Sequence, residues 1–293
     1  MTTEDFSPRY LDLDSWPNAE VLTALYESQL AAVAAVGPAL SELAAAVDNA
    51  VPRLRRGGRL IYAGAGTSGR IGAQDAAELT PTFNWPPEQL ALVMAGGEGA
   101  LLRSVENAED SAAAGAARMD EIGAGADDIV LGLAASGATP FTVAAVKAAR
   151  QRGALTVGIA NNAGSELLAV CDHPILLETG EEPIAGSTRL KAGTAQKVAL
   201  NLFSTLAMVR LGRVFRGLMV DMRATNDKLR RRSIQMVATI AGCDEVVAGA
   251  AATQAHGDVK LAALIALGME SGAAQGLLDR HEGDLRTAMT ELG

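Results

Sequence analysis

Between Leu60 and Arg70 the chain reads Leu-Ile-Tyr-Ala-Gly-Ala-Gly-Thr-Ser-Gly-Arg. The apolar run from Leu60 to Ala63 predicts a strand, and the helix-like residues 71–79 follow the glycine turn at once. A strand that passes through glycine into a helix leaves the helix's first backbone N–H groups pointing outward, where the helix dipole favours an anion. Thr67 and Ser68 add two hydroxyl donors to that turn. The junction is a candidate phosphate site, and it commits this part of the chain to a β-then-α unit.

The unit recurs. Apolar runs predict strands at 59–63, 90–95, 128–134, 154–160 and 173–177. Alanine-rich stretches between them predict helices at 68–80, 99–122, 140–152 and 163–169, with a long helix from Lys191 to Leu211. This alternation argues for an α/β fold with a doubly wound parallel sheet. The composition agrees, since 49% of residues are apolar but only 3% aromatic; small aliphatic side chains let helices pack closely on a parallel sheet. Residues 1–18, with two prolines and no period, predict an extended arm. Residues 19–54 predict two helices broken at Gly37-Pro38. The stretch from Val198 to Val209 reads as the most apolar helix, buried and too short to span a bilayer. Past Gly212 no strand is expected, and residues 223–293 read as a small helical appendage. The expected division is therefore 1–56 for the arm and first helices, 57–222 for the sheet domain and 223–293 for the helical region.

Two more loops repeat the small-residue pattern. One is Leu133-Ala134-Ala135-Ser136-Gly137-Ala138-Thr139-Pro140, with Pro140 suited to a first helical turn. The other runs from Gly186 through Ser187, Thr188, Arg189 and Lys191 to Thr194. In a parallel sheet such loops gather at the carboxyl edge. Thr67, Ser68, Ser136, Thr139, Ser187 and Thr188 could there enclose one phosphorylated small molecule. Gly64-x-Gly66-x-x-Gly69 formally matches a dinucleotide fingerprint, but the next strand ends in Ala95-Gly96-Gly97 rather than an acidic residue. Arg189 and Lys191 read either as counter-charges for phosphate or as surface cations. Pro81 is expected to end the first loop's helix. On that helix Asp75 and Glu78 share a face, as Glu106 and Glu109 do on the expected helix 99–122. Alone, each pair reads as a solvated face. Beside a sugar-phosphate pocket, carboxylates could do acid and base work.

Other classes fit less well. A net charge of −9 argues against a general nucleic-acid binder. Two cysteines make neither a disulfide framework nor, alone, a zinc site. The acidic start Met1-Thr2-Thr3-Glu4-Asp5 lacks the marks of a signal peptide, so a cytoplasmic protein without a membrane partner is expected. His173, His256 and His281 share no metal-ligand spacing. No metal and no organic cofactor is called for.

Several longer blocks carry a family resemblance. GAGTSGR at 64–70, DAAELTPTF at 75–83, AGGEGALLRSVENAEDS at 95–111, LAASGATP at 133–140, GSTRLKAGTAQK at 186–197 and LMVDMRATNDKL at 218–229 together resemble the N-acetylmuramic acid 6-phosphate etherases. The resemblance implies a sugar isomerase (SIS) fold, a homodimer with shared active sites, no cofactor, and cleavage of a D-lactyl ether by elimination and then hydration. It implies Glu78 as the acid, Glu109 as the base at carbon 2 and Glu106 as a sugar ligand, with the six loop hydroxyls holding the phosphate and nearby oxygens. The same fold serves regulatory sugar-phosphate binders and aldose–ketose isomerases. This chain departs from the family pattern in places. Glu-Cys-Pro-Pro-Thr-Phe reads Glu78-Leu79-Thr80-Pro81-Thr82-Phe83, and Ser-Gly-Arg-Thr-Pro carries Ala138 in place of arginine. Cys-Asn-Pro reads Ala160-Asn161-Asn162, the Glu-Asp pair of the first long helix reads Glu27-Ser28, and the N-terminal arm matches poorly.

Overall fold

A computed structural model describes residues 2–103, 105–224 and 226–292. Ser104, inside the expected helix 99–122, and Thr225, inside the 218–229 block, lie outside them. Contacts divide the chain into two units, residues 1–77 with 87–204 and residues 78–86 with 205–293.

The first unit is built on five parallel strands: β1 (Leu60–Gly64), β2 (Leu90–Met94), β3 (Ile129–Leu133), β4 (Leu155–Ala160) and β5 (His173–Leu176), in the order β2-β1-β3-β4-β5. Strands β1, β3 and β4 are buried along their whole length, which is why they read as continuous apolar runs rather than alternating ones. Seven helices begin here: α1 (Asn18–Ala34), α2 (Leu40–Arg55), α3 (Gly66–Phe83), α4 (Ala112–Glu121), α5 (Pro140–Gln151), α6 (Glu166–Val170) and α7 (Lys191–Arg210). One core cluster joins Ile61, Ala63, Val93 and Val130 of the sheet to Met119 of α4 and Phe141 and Val146 of α5.

The second unit holds a two-residue antiparallel pair, β6 (Val214–Phe215) with β7 (Leu218–Met219), and five helices: α8 (Asp227–Ala241), α9 (Glu245–Gln254), α10 (Val259–Ala266), α11 (Ser271–Arg280) and α12 (Leu285–Leu292). Side-chain caps start several of them. Asn226 accepts from Leu229 N at 2.9 Å, Asp244 from Val247 N at 2.8 Å and Asp258 from Leu261 N at 2.9 Å.

Four expectations need correction. The stretch 99–122 is not one helix: Glu98–Leu101 and Ala108–Asp110 are single 3-10 turns, and only Ala112–Glu121 is α-helical, started by the Ser111 side chain accepting from Ala114 N at 3.2 Å. The serine cap and the left-handed Asn107 (φ 59°) break what alanine content alone favours. Pro81 does not end α3, which runs on to Phe83. The arm 1–18 contains 3-10 turns at Pro8–Tyr10 and Leu13–Ser15 rather than extended chain throughout. Beyond Gly212 there is a strand pair after all; its turn at Arg216-Gly217, both with positive φ, suits a two-residue hairpin too short for any period to show. The two-helix reading of residues 19–54 holds, with a 3-10 turn at Gly37–Ala39 between α1 and α2. Residues 18–55 are long and apolar enough to cross a membrane by length and composition. In α2 that apolarity covers a buried face of Leu43, Ala46, Val47, Ala50 and Leu54.

At the amino edge of the sheet, Asp128 ties β1 to β3. It accepts from Arg59 N at 3.0 Å, Arg59 Nη2 at 2.6 Å and Gly125 N at 2.8 Å. Burial works to raise its pKa, but the donors of Arg59 and Gly125 outweigh burial and hold the carboxyl below its ordinary value. A carboxylate with a lowered folded pKa adds stability that is complete above the unfolded value of about 3.9 and vanishes as pH falls through the folded value. Asp128→Asn is expected to cost about 1–3 kcal/mol at neutral pH, measured by denaturant unfolding. The gap to the parent protein should close below about pH 4; a gap independent of pH would contradict this role.

Candidate active site at the carboxyl edge of the sheet

Because all five strands run parallel, the segments that follow them leave from one edge. The order reverses between β1 and β3, and the crevice at such a switch point is where open α/β sheets bind ligands. Helix α3 starts two residues after β1. Its first intrahelical bond is Gly69 N to Ala65 O at 3.0 Å, so the amides of residues 66–68 precede the hydrogen-bonded ladder. Ser68 is buried and Thr67 half-buried beside those amides. Across the switch point, Ser136 and Thr139 occupy the β3–α5 loop, with Pro140 in the first turn of α5 as expected.

The third loop folds onto the first. A methyl group placed on Gly193 would stand 3.2 Å from Thr188 O and 3.5 Å from Thr67 Cγ2. Thr67 of the β1–α3 connection and Thr188 of the β5–α7 connection therefore approach the same glycine. The amino end of α7 is not open to an anion, however. Glu182, 1% exposed, accepts from Lys191 N and Ala192 N at 2.9 Å each. Burial raises its pKa, against those two amides and the charge of Lys191. Lys191 is buried too, with Nζ donating to Thr179 O at 2.7 Å, and burial lowers its pKa. Lys191 is thus neither a free phosphate counter-charge nor a surface cation. Arg189 is exposed.

The acidic residues separate by role. Glu106 lies in an exposed turn and Glu109 in the exposed 3-10 turn Ala108–Asp110, so they do not share a helix face. This segment is held to α3 by Arg70, whose Nη2 donates to Ala100 O at 2.9 Å and whose Nε donates to Leu101 O at 3.1 Å. Glu78 is exposed on α3. Asp75, one turn earlier, is 5% exposed instead of facing solvent, and it gathers a polar knot. Tyr62 Oη donates to it at 2.8 Å, Asn201 Nδ2 at 2.7 Å and Ser204 Oγ at 3.1 Å. Burial raises the Asp75 pKa against these three donors, and burial beside Asp75 drives the Tyr62 phenol well up. The knot locks α3 to β1 and α7. The tyrosine inside an apolar strand was its only trace in the sequence.

Sequence reasoning also missed the Asn161 network, in which Asn161 donates to Leu177 O at 3.0 Å and accepts from Gln196 Nε2 at 3.2 Å. Among the described residues no group of three or more His, Cys, Asp or Glu is placed to hold a metal ion. A cavity of about 820 Å³ lies within the second unit, lined by Asp221, Arg223, Arg230 and His256 among others, and contains none of the loop hydroxyls.

Comparisons with known proteins agree with this architecture. A family model described as the SIS domain matches residues 105–206, and one described as the glucokinase regulatory protein N-terminal SIS domain matches residues 42–150. A Bacteroides fragilis protein taken for a phosphosugar isomerase involved in capsule formation shares the fold, with a TM-score of 0.50 at 20% identity over 69% of this chain and 95% of that one. N-acetylmuramic acid 6-phosphate etherases are far nearer in sequence. That of Deinococcus radiodurans is 49% identical over 99% of this chain and 95% of its own length. That of Streptomyces avermitilis is 47% identical over 99% and 93%, and that of Cronobacter sakazakii 46% over 99% and 98%.

The Asp75 knot generates a test of its own. Tyr62→Phe leaves a buried carboxylate one donor short, so a loss of about 1–3 kcal/mol is expected in chemical denaturation; an unchanged midpoint would mean that the knot carries no net stability. Matching motifs, a shared SIS architecture and near-half identity along almost the whole length together place the chain in the N-acetylmuramic acid 6-phosphate etherase family.

Proposed function

We propose that the protein cleaves the D-lactyl ether of N-acetylmuramic acid 6-phosphate, giving N-acetylglucosamine 6-phosphate and D-lactate. The observation that carries this reading is the near-half identity to etherases over 99% of the chain; the motifs that contain Glu78 and Glu109 support it. The phosphate rests on the amides of residues 66–68 and on the hydroxyls of Thr67, Ser68, Ser136, Thr139, Ser187 and Thr188, while Glu106 holds sugar hydroxyls. Helix-start amides suit a dianion without a cation beside them.

The chemistry divides between the two glutamates. An ether oxygen is a poor leaving group. With the sugar ring open, the aldehyde at carbon 1 acidifies the proton on carbon 2, and the Glu109 carboxylate removes it. Glu78, protonated, gives its proton to the oxygen leaving carbon 3 as lactate. Water then adds to carbon 3 of the unsaturated aldehyde, with Glu78 taking a proton from it, and carbon 2 regains a proton from Glu109. Each such group contributes roughly 10²–10⁴-fold.

The site is shared between two copies of the chain. Glu78 lies ten residues beyond Ser68 on α3, about 15 Å along the axis at 1.5 Å per residue, which exceeds the reach of one hexose phosphate. Helix α1 carries an apolar stripe of Leu22, Tyr26, Leu30 and Val33, with Leu22 67% and Tyr26 64% exposed, suited to burial against a second copy. Sugar-phosphate binding without turnover is the second reading, favoured by the match of residues 42–150 to the regulatory-protein domain.

Pure protein given the substrate is expected to release D-lactate, with Glu78→Gln and Glu109→Gln each slower by roughly 10²–10⁴-fold. If the site is shared, mixing the two variants restores up to about a quarter of the parental rate, from hybrid dimers with one intact site. Lactate at the level of a protein-free control would remove the etherase reading, and a mixture as slow as its components would remove the shared site.

A further inference from the structure

Thr3 is wholly buried. Its N–H donates to Asn162 Oδ1 at 3.0 Å, and its Oγ1 accepts from Asn162 Nδ2 at 3.2 Å. The same Nδ2 reaches Ser136 O at 3.4 Å. Asn162 therefore bridges the N-terminal arm and the β3–α5 loop that carries a candidate phosphate hydroxyl. Only a side-chain amide offers both an acceptor for the Thr3 N–H and donors for two oxygens. Where the family pattern has proline, this chain has Asn162, and proline could make none of these bonds.

The clamp delivers the next residue to the third loop. Glu4 Oε2 lies 3.1 Å from where a methyl on Gly186 would stand, so the carboxylate occupies space that the missing side chain leaves. Thr3 Oγ1 also meets Glu4 Oε1 at 3.4 Å. Asp5 folds back, accepting from Thr2 N at 2.6 Å, and this bond holds its pKa below the ordinary value. Residues 2–5 thus form a closed turn rather than a trailing end.

We propose that Asn162 is a positioning residue, which clamps the arm through Thr3 so that Glu4 forms a wall of the sugar-phosphate site between the Ser136 and Ser187 loops. Ionised Glu4 only accepts hydrogen bonds, and it repels phosphate. What it holds is a hydroxyl or amide N–H of the sugar, which sets the ligand's orientation and adds to affinity rather than to the chemical step. This inference rests on the sugar-phosphate reading of the site.

The test compares the full-length protein with Asn162→Ala, Glu4→Gln, Thr3→Val, Thr3→Ser and a chain lacking residues 2–5. KM and kcat are measured with N-acetylmuramic acid 6-phosphate, and Kd with N-acetylglucosamine 6-phosphate by calorimetry. Loss of the clamp is expected to raise KM and Kd about tenfold, with kcat within about threefold of the parent. Thr3→Ser, which keeps the hydroxyl, should stay near the parent, and the shortened chain should match Asn162→Ala. KM and Kd within twofold of the parent for both of these would overturn the proposal, as would a fall in kcat with KM unchanged. A parent that binds the sugar phosphate without releasing lactate would end the etherase reading alone, and the clamp is then judged on Kd. A parent that binds no sugar phosphate overturns both.

Discussion

The approach of Gly69 to Gly64 governs the chemistry of this molecule. A methyl on Gly64 would stand 2.9 Å from Gly69 Cα, and one on Gly69 would stand 2.3 Å from Met94 Sδ and 3.0 Å from Gly64 O. With side chains at either position, α3 could not start directly over the ends of β1 and β2. Its first amides would then be displaced from the crevice where the strand order reverses. Of the three glycines that formally resemble a dinucleotide fingerprint, Gly64 and Gly69 are thus there for close packing of helix on strand and Gly66 for its left-handed backbone (φ 52°), and the candidate anion site is a consequence of that geometry.

Carboxylates are used in two opposite ways. Asp75 and Glu182 are buried and spend their acceptor capacity on the protein itself, Asp75 on three side chains and Glu182 on the first amides of α7. Glu78, Glu106 and Glu109 remain exposed. The internal pair fixes the elements around the exposed set. Asp75 fixes the helix that bears Glu78, and Glu182 caps the first amides of α7, the helix that follows the third loop. The carboxyl end of α3 is fixed as well, since Arg213 Nη1 donates to Phe83 O at 2.7 Å and Asn84 O at 3.0 Å while its guanidinium stacks 4.9 Å from the Trp85 ring.

The sheet was legible because buried parallel strands are short apolar runs with glycine or alanine breaks, and each of the five lies within a residue or two of its expected span. The helix starts at Pro140 and Lys191 were legible from turn chemistry, and α3 begins at Gly66, two residues before its expected start. Between Glu98 and Ser111 the reading failed because alanine content favours helix while one serine cap and one left-handed asparagine decide the geometry. Tertiary partners were invisible in principle. Nothing in the sequence around Asp75 distinguishes a buried carboxylate with three donors from a solvated one. Nothing local to Thr3 announces Asn162, 159 residues away.

Crystals soaked with N-acetylglucosamine 6-phosphate examine the central claim most directly. The account predicts phosphate oxygens within hydrogen-bonding distance of the residue 67 and 68 amides, with hydroxyls of the Ser136 and Ser187 loops around them and the sugar directed toward Glu109. A phosphate bound instead in the helical unit's cavity beside Arg223 and Arg230, with the α3 start left to solvent, would contradict it.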